Sequence, residues 1–452
     1  MSEQNNSFSS SLGAIMAAVG SAVGLGNIWR FPYICGKYGG GAFLIVYLLF
    51  VFLIGMMLMM SEFVIGRRAQ HAPMKAFETL RPDKRGWRFV GLFGTITCVF
   101  ILSQYWVISG WTLSYFFDSC TGALKALGQD AALISSHFAD FSTAVGRPIL
   151  FLFIFAVLVS VVILGGVKKG IEAVSKALMP VLVLIVLALC VRALTLPNAS
   201  QGLRYLFNPD FSKLTGEGIL AALGQALFSL SVGMGTMIVY GMYLPANDKI
   251  FKTSLWIAGS DTLIAILAGV AIFPAVFSCG MEPAGGPGLV FNVLPSVFNS
   301  MGALASVFSA LFFLLLVLAA LTSAISLLEA MTAWYTETFR STRLRSTLLV
   351  AVVTLLIAAV CSLSMGNWSH IHIAGRSIFD FVDCLNSIYL PPLTAIGTVL
   401  FVGWVMKKDD LIDEFSNHGT EKAPYFRFYY FIIRFVAPLA LAIVLISGII
   451  NS

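Results

Sequence analysis

Hydrophobicity extends along nearly the whole chain, and this feature restricts the possible folds more than any motif does. Of the 452 residues, 58% are apolar and only 11% are charged, whereas an average soluble domain has about 25% charged residues. The pattern excludes a soluble globular enzyme and predicts an all-α polytopic membrane protein with eleven transmembrane helices. The hydrophobic segments lie near residues 11–35, 41–66, 88–117, 148–165, 170–194, 216–244, 253–279, 301–338, 346–364, 377–405 and 426–449.

Basic residues are unevenly divided between the loops on the two sides of the membrane. With the N-terminus inside, the inner loops contain more Lys and Arg than the outer ones, chiefly in the stretch from Arg67 to Arg88. The positive-inside rule then predicts a cytoplasmic N-terminus and, after eleven helices, an external C-terminus in a plasma (inner) membrane. The N-terminus lacks the basic region of a cleaved signal peptide, so the first helix is expected to remain.

Several other classes of function find no support in the sequence. The net charge of +6 does not come from basic patches interleaved with aromatic residues, so nucleic acid is not an expected partner. The seven cysteines show no spacing typical of a metal site. No Walker motif is present, which disfavours ATP as the energy source. The lipid bilayer is an expected partner, and the oligomeric state is left open.

Two glycine pairs interrupt the first and sixth hydrophobic segments. Val23–Gly26 reads V-G-L-G and Val232–Gly235 reads V-G-M-G, and each glycine weakens a helix by roughly 1 kcal/mol. Either motif alone fits close helix packing. Five segments apart, they indicate an inverted repeat with two broken helices, the sequence sign of a substrate site in secondary transporters. Free amides there attract an anion and free carbonyls a cation, so an amino acid would suit both.

The interrupted segments also show a family resemblance. Gly20–Tyr33, with the sequence GSAVGLGNIWRFPY, and Gly39–Phe43 resemble the first helix of the neurotransmitter:sodium symporter family. Further matches are Ser61-Glu62, Gly66-Arg67, Tyr105, Trp111, Gln225–Gly235 and Leu321–Ser323. The chain is similar to the shorter, eleven-helix bacterial members. The resemblance implies a sodium-coupled symporter that works by alternating access.

The resemblance implies the LeuT-type 5+5 inverted repeat, in which helices 1 and 6 are unwound. On this basis residues 1–200 form the first repeat with helices 1–5, and residues 201–405 form the second with helices 6–10. Residues 406–452 contain an inner loop and helix 11.

Two sodium sites follow from the resemblance, and both consist of the oxygen ligands that a hard cation prefers. One would use the carbonyls of Gly20, Val23 and Ala319 with the hydroxyls of Thr322 and Ser323. The other would use the Ala22 carbonyl, Asn27, Ser229, Asp261 and the substrate carboxylate. For the Thr322 and Ser323 hydroxyls, ordinary bonding to a carbonyl within the helix is the alternative.

The implied substrate site binds both ends of an amino acid. The amides near Gly24, Leu25 and Gly26 and the Tyr105 hydroxyl would bind the carboxylate; the carbonyls of Ala22, Phe228 and Ser231 would bind the ammonium. The side-chain pocket would be lined by Ile101, Tyr105, Phe228, Ser231, Met234, Ser323 and Leu327. Because no lining residue is charged, we expect neutral hydrophobic or aromatic substrates. Generic core filling is the alternative for Met234.

Two single positions refine the expected substrates and ions. Amine-transporting relatives have an aspartate where this chain has Gly24, so glycine favours an amino acid. Chloride-dependent relatives have a neutral residue at the position of Asp261 and a nearby serine, whereas this chain has Ala265. Asp261 is therefore expected to supply the negative charge and make transport independent of chloride. Its protonation during the return step could add proton antiport, and a structural carboxylate is the alternative.

The gates depart in part from the family pattern. Arg30 resembles the outer gate arginine, but Asn386 occupies the position of its acidic partner, so Asp383 is the nearest candidate. Gln225 is expected to help close the lid. Tyr243 and Glu337 match inner gate positions, whereas Asn5 and Phe8 replace the family's N-terminal arginine and tryptophan. Glu62 and Glu329 are expected to be buried acids bonded to unwound backbone.

Three alternatives remain at this stage. A proton-coupled carrier with the same repeat would not need the oxygen-rich positions Asn27, Thr322 and Ser323. An ion channel could use the broken helices as a filter, but the sequence lacks a ring of pore-lining charges. A membrane sensor would bind the substrate without moving it.

Overall fold

The computed structural model describes residues 7–280 and 289–451, and nearly all of these are helical. The all-α prediction is therefore confirmed. In chain order the main helices are α1a (Ser11–Ala22) and α1b (Gly26–Lys37), α2 (Gly41–Ala69), α3 (Arg88–Thr121), α4 (Gly146–Leu164), α5 (Val167–Leu194), α6a (Gly216–Ser229) and α6b (Thr236–Tyr243), α7 (Ile250–Ser278), α8 (Ala305–Phe339), α9 (Arg343–Leu363), α10 (Ile378–Val405) and α11 (Phe426–Ile450).

Short elements connect these helices at both ends of the bundle. The helical ones are Pro73–Leu80, Pro82–Trp87, Ala123–Ala126, Ala131–Thr143, Ala199–Phe207, Phe211–Lys213, Leu289–Val293, Leu294–Asn299, Gly302–Leu304 and Lys408–Phe415. A small antiparallel hairpin pairs β1 (His372–Ile373) with β2 (Arg376–Ser377) ahead of α10. We call the side with Phe8 and the α2–α3 connection the inner face, following the predicted orientation.

The helices have the length and composition of membrane spans. Within the described residues, nine are long and apolar enough to cross a bilayer, and α1a and α1b together make a tenth span, bent by 47°. The two halves of α6 are each too short to span alone. Large apolar side chains such as Leu158, Leu184, Leu356 and Leu439 are exposed on the outside of the bundle, as a lipid environment requires. The count of eleven spans stays a prediction.

Both glycine pairs lie where the helices are interrupted. α1a ends at Ala22, and Val23 is extended with ψ of 100°. The second break, between Ser229 and Thr236, places Gly233 and Gly235 at φ of 77° and 80°, a backbone region that glycine adopts at little cost. Ser231 is also there, with φ of 52°. Some backbone groups here bond outside the regular helical pattern: the Gly233 amide donates to Glu62 Oε1 at 2.7 Å, and the Ser231 carbonyl accepts from the Thr236 hydroxyl at 2.6 Å.

Close packing positions the two breaks next to each other. The long helices α3 and α8 pack side by side in the middle of the bundle, and the breaks lie beside them. α2 and α6b approach so closely at Gly66 that a Cβ there would overlap the Ile238 carbonyl. The resulting core buries the polar centre of α1, α6, α7 and α8 away from lipid.

Candidate substrate and sodium sites

The first predicted sodium site lies between α1a and α8. The Ser323 hydroxyl donates towards the carbonyls of Ser21 at 3.0 Å and of Gly20 and Val23 at 3.4 Å each. The Thr322 hydroxyl lies 3.1 Å from the Ala319 carbonyl. The structure thus brings all five predicted ligand residues together.

The oxygen atoms that meet between α1a and α8 are of the type that a sodium ion prefers. Carbonyl and hydroxyl oxygens are hard ligands, and the described side chains around them include no carboxylate that would favour a divalent ion. The bond from Thr322 to Ala319 is the intrahelical bonding that was the alternative for this hydroxyl. The three contacts of Ser323, in contrast, cross from α8 to the unwound end of α1a, which intrahelical bonding cannot explain.

The second predicted sodium site is a buried polar cluster at the junction of α1b, α6a and α7. Asn27 and Asp261 are fully buried. The Asn27 amide donates to Asp261 Oδ1 at 2.7 Å and to Ser229 Oγ at 3.0 Å. Ser229 in turn donates to Asp261 Oδ2 at 2.7 Å, and the Tyr47 hydroxyl donates to Ser229 Oγ at 3.2 Å. Ala22, the remaining predicted ligand, is buried at the end of α1a.

The start of α1b faces α3, and the backbone amides at the break have polar side-chain partners. The Leu25 amide donates to the Tyr105 hydroxyl at 3.0 Å, and the Gly24 amide donates to Asn27 Oδ1 at 3.1 Å. A Cβ added at Gly24 would lie 2.8 Å from the Tyr105 hydroxyl and still closer to Ser323 Oγ. Only glycine therefore leaves the backbone accessible here.

A small central cavity lies between the two breaks and contains almost the complete predicted pocket. Its lining residues are Ser21, Ala22, Gly24, Gly26, Ile101, Tyr105, Phe228, Ser231, Met234, Ser323 and Leu327. Ser21 is the one member that the sequence did not indicate. No lining side chain is charged. Ser231 donates to the Ser21 carbonyl at 2.9 Å and so joins the two broken helices across the cavity.

A larger cavity of about 300 Å³ lies on the outer side of this pocket. Tyr105 and Phe228 line both cavities, so their rings separate the central pocket from the outer vestibule. Trp29, Arg30, Gln104, Asp383 and Asn386 are among the other residues around the vestibule. The central pocket therefore adjoins a wider cavity on its outer side.

At the outer gate, Arg30 does not pair with Asp383, the nearest candidate for its acidic partner. Arg30 Nη2 donates to Ser387 Oγ at 3.3 Å, and its guanidinium lies over the Phe228 ring, 4.8 Å from the centroid. Asp383 instead accepts from Gln104 Nε2 at 2.8 Å. The reason is positional: Gln104 on α3 is within hydrogen-bond distance of Asp383, whereas Arg30 packs against the pocket ring.

Two amides complete the outer side. Asn386, which occupies the position of the family's acid, donates to Gln104 Oε1 at 3.0 Å and so belongs to the same α3–α10 network. The predicted lid residue Gln225 donates to the Gly26 carbonyl at 2.9 Å. Gln225 thus connects α6a to the first turn of α1b, directly beside the substrate pocket.

The inner face is closed by polar and aromatic contacts. The Tyr243 hydroxyl donates to Glu329 Oε1 at 2.7 Å, and Glu329 accepts from Arg343 at 3.1 Å and 2.5 Å. Phe8 packs edge-on against Tyr243 and donates its amide to the Tyr243 carbonyl. Asn5 lies outside the described residues. Tyr243 thus contacts both Glu329 and Phe8, and its role as an inner gate stays a prediction.

Three acids at or near this face differ in their partners. Among the described residues, Glu337 contacts the α2–α3 connection, since it accepts from the Ala72 amide at 2.7 Å and pairs with Lys75 at 3.2 Å. Its gate role stays a prediction, because residues 1–6 lie outside the part of the chain that the structure describes. Glu62 accepts from the Gly233 amide at 2.7 Å, so its expected bond to unwound backbone is present. Glu329 instead binds the side chains of Tyr243 and Arg343, so the expected bond of Glu329 to unwound backbone was wrong.

The polar contacts of Tyr47 and Glu172 were not predicted, because nothing in the surrounding sequence marks these two residues. Tyr47 lies in an apolar stretch of α2, and only its hydroxyl within a membrane span could have indicated a polar partner. Glu172 on α5 accepts from the Ser9 amide at 2.7 Å and from Lys176 at 2.6 Å, so it fixes the N-terminal segment.

Farther out on this face, a hydrogen bond from Arg68 lowers the pKa of Asp413 below its usual range.

Comparison with known proteins gives this geometry a context. The model of the sodium:neurotransmitter symporter family matches residues 5–138 and 129–452, which together cover almost the whole chain. The chain belongs to this family. The symporter is therefore a sodium-dependent secondary transporter and not an enzyme, and it is a multi-pass membrane protein.

Individual relatives are similar to this chain over nearly their full lengths. An uncharacterized sodium-dependent transporter of Bacillus subtilis, YhdH, is 37% identical over 99% of this chain and 98% of its own length. An uncharacterized sodium-dependent transporter of Haemophilus influenzae is 34% identical, with 99% of both chains covered. The crystal structure of MhsT in complex with L-phenylalanine has a TM-score of 0.90 and 42% identity over 98% of this chain and 99% of that one. The LeuT-type fold of the symporter is thereby confirmed.

Proposed function

We propose that the symporter imports neutral hydrophobic or aromatic L-amino acids together with two sodium ions, without a requirement for chloride. The observation that supports this most directly is the central cavity, which combines unwound backbone at both breaks with an apolar lining. The similar structure of MhsT contains L-phenylalanine. A proton-coupled carrier would have no use for the two oxygen-rich clusters around Ser323 and Asn27.

The lining of the pocket determines the substrate class. An acidic or basic substrate side chain would be buried without a charged partner, at a cost of several kcal/mol. Aromatic and branched aliphatic side chains instead gain roughly 1.5–3 kcal/mol from burial against Ile101, Met234 and Leu327. Met234 has an unbranched, flexible side chain and can adapt to substrates of different shape.

Coupling between ion and substrate follows from their common ligands. The substrate carboxylate would lie between the Tyr105 hydroxyl and the Asn27–Ser229–Asp261 cluster, within reach of the sodium ion there. If the substrate carboxylate ligates the sodium ion, bound substrate raises the affinity for sodium. Bound sodium then raises the affinity for the substrate by the same factor. Neither is then bound well without the other, as a symporter requires.

A competition panel tests the substrate class. In proteoliposomes containing the purified symporter, a sodium gradient should drive accumulation of labelled phenylalanine, and unlabelled neutral apolar amino acids should compete. Aspartate, lysine and a decarboxylated amine such as phenethylamine should compete at least about 100-fold less well, since each leaves a buried group unpaired. Accumulation that is unchanged when choline replaces sodium would contradict the proposal. Currents without substrate would indicate a channel.

Asp261 supplies the fixed negative charge that makes chloride dispensable in this proposal. It is fully buried in α7, and its two oxygens already face Asn27 and Ser229, where the sodium ion would bind. A buried anion beside a cation site compensates the charge of the ion permanently, so a mobile anion is not needed.

The variant Asp261→Asn tests this role of the charge. Wild-type uptake should be equal in chloride and in gluconate medium, whereas Asp261→Asn should take up about 100-fold less in gluconate because a charged partner of the ion is lost. Uptake is measured in proteoliposomes with equal amounts of inserted protein. Asp140→Asn, an exposed acid on the outer helix Ala131–Thr143, serves as the control. Unchanged chloride-free uptake by Asp261→Asn would refute the proposal.

A further inference from the structure

A groove on the lipid-facing surface at the inner ends of α8 and α9 has no role in the proposed transport site. It has a volume of about 640 Å³. We call it the α8–α9 groove, and its lining residues are Tyr335, Phe339, Arg340, Ser341, Arg345, Leu348, Leu349, Val352 and Val353. The groove therefore combines a basic end with an apolar floor.

The apolar floor follows the helical period of α9. Leu348, Leu349, Val352 and Val353 lie three, four, seven and eight residues after Arg345, so that all of them share one face of the helix. Each of the four is 42–53% exposed. On a helix that crosses a membrane, this face contacts lipid chains, and the stripe leads from Arg345 towards the bilayer centre.

The basic end consists of two arginines that the protein itself does not neutralise. Within residues 7–280 and 289–451, neither Arg340 nor Arg345 forms an ion pair or a side-chain hydrogen bond, and both are exposed. Arg343 between them has a different environment, because its guanidinium pairs with Glu329 and donates to the Ile163 carbonyl at 2.8 Å. Arg67 and Arg68 at the same face also have acidic partners.

Aromatic rings place this basic end at the membrane surface. Tyr335 and Phe339 lie with their ring centroids 4.5 Å apart, and Trp334 packs edge-on against Phe339 at 5.9 Å. Tryptophan and tyrosine concentrate at the level of the lipid headgroups. The two guanidinium groups next to them are therefore at the depth of lipid phosphates, with the apolar stripe below at the depth of the acyl chains.

We propose that the α8–α9 groove binds an anionic phospholipid. Its phosphate interacts with Arg340 and Arg345, and one acyl chain lies along Leu348, Leu349 and Val352. Guanidinium groups match phosphate oxygens in charge and geometry, and basic pockets between helices on the cytoplasmic side are suited to anionic headgroups. The site is adjacent to Arg343, so a bound lipid would hold the α8–α9 turn beside the inner closure at Glu329 and Tyr243.

Native mass spectrometry of the full-length protein in detergent tests this inference without any transport assay. Phosphatidylglycerol and phosphatidylcholine with identical acyl chains are added at equal concentration, and the bound lipid is counted. The wild type should retain phosphatidylglycerol preferentially. The double variant Arg340→Gln/Arg345→Gln should lose affinity for it by about fivefold per arginine, while phosphatidylcholine binding stays unchanged.

Two matched variants separate the site from general charge. Lys84→Gln/Arg85→Gln removes two exposed basic residues elsewhere on the inner face and should keep the wild-type preference. Arg340→Lys/Arg345→Lys should retain most of it. Equal retention of phosphatidylglycerol by the Gln double variant, or an equal loss in the Lys84/Arg85 control, would overturn the inference. So would a disulfide-linked dimer that Leu349→Cys forms in lipid and that the wild type, with its exposed Cys120, does not form, because a second copy would then occupy the groove.

Discussion

Gly24→Asp is expected to abolish sodium-driven amino-acid uptake. A Cβ at this position would already lie 2.8 Å from the Tyr105 hydroxyl and closer to Ser323 Oγ, so the larger side chain must displace both or move α1b. The aspartate would also put a negative charge where the substrate carboxylate is proposed to bind. Overpacking alone costs about 1–3 kcal/mol, and the repulsion adds to it, so labelled phenylalanine uptake should fall at least about 100-fold.

The control for this substitution is a glycine within a helix that has free space around it. Gly224 in α6a has no atom within 4 Å of an added Cβ, and Gly224→Ala should transport like the wild type. Thermal unfolding of the purified protein measures whether Gly24→Asp is still folded. A folded Gly24→Asp protein that accumulates phenylalanine normally would show that the carboxylate does not bind at the α1 break.

Thr322→Val should abolish most of the uptake at ordinary sodium concentrations and shift the remaining uptake to higher sodium concentrations. Valine has nearly the same shape as threonine, so the change deletes one oxygen from the proposed site between α1a and α8. An interaction of a hydroxyl with a charged group contributes about 1.5–3 kcal/mol, so the sodium concentration for half-maximal uptake should rise roughly 10- to 100-fold. Initial rates of uptake over a series of sodium concentrations measure this shift.

The same helix offers an isosteric control. Thr332 is buried in α8 ten residues after Thr322, and its hydroxyl has no hydrogen-bond partner among the described residues. Thr332→Val therefore removes an unsatisfied polar atom and should leave the sodium dependence unchanged. If both variants behave alike, the Thr322 hydroxyl has only the intrahelical role that its bond to Ala319 would allow.

Residues with a special chemical requirement were predicted well from the sequence. Glycine pairs within apolar segments identified both breaks, because two such pairs five segments apart indicate interrupted helices at matching positions of an inverted repeat. Ile101, Tyr105, Met234 and Leu327, which the family resemblance placed in the pocket, line one cavity in the structure. Their roles as ligands and as pocket residues remain predictions that the variants above would test.

Partners that depend on small differences in distance were predicted less well. Asp383 and Asn386 are both near Arg30 along the vestibule, but Gln104 on α3 binds both of them. Glu337 and Glu329 both lie near the inner end of α8, yet Glu329 contacts Tyr243 and Glu337 contacts the α2–α3 connection. A sequence places such side chains on a helix, whereas their partners depend on how neighbouring helices rotate and approach.

The sequence by itself determined that the chain is a helical membrane protein with two interrupted helices, because hydrocarbon demands long apolar helices and glycine pairs break them. Only the tertiary structure decided which polar groups meet. The Asn27–Ser229–Asp261 cluster joins residues up to 234 positions apart, and the contacts of Ser323 with α1a span about 300 positions. Such distant groups become neighbours only through the packing of whole helices, since local periodicity fixes the face of a helix but not what lies opposite.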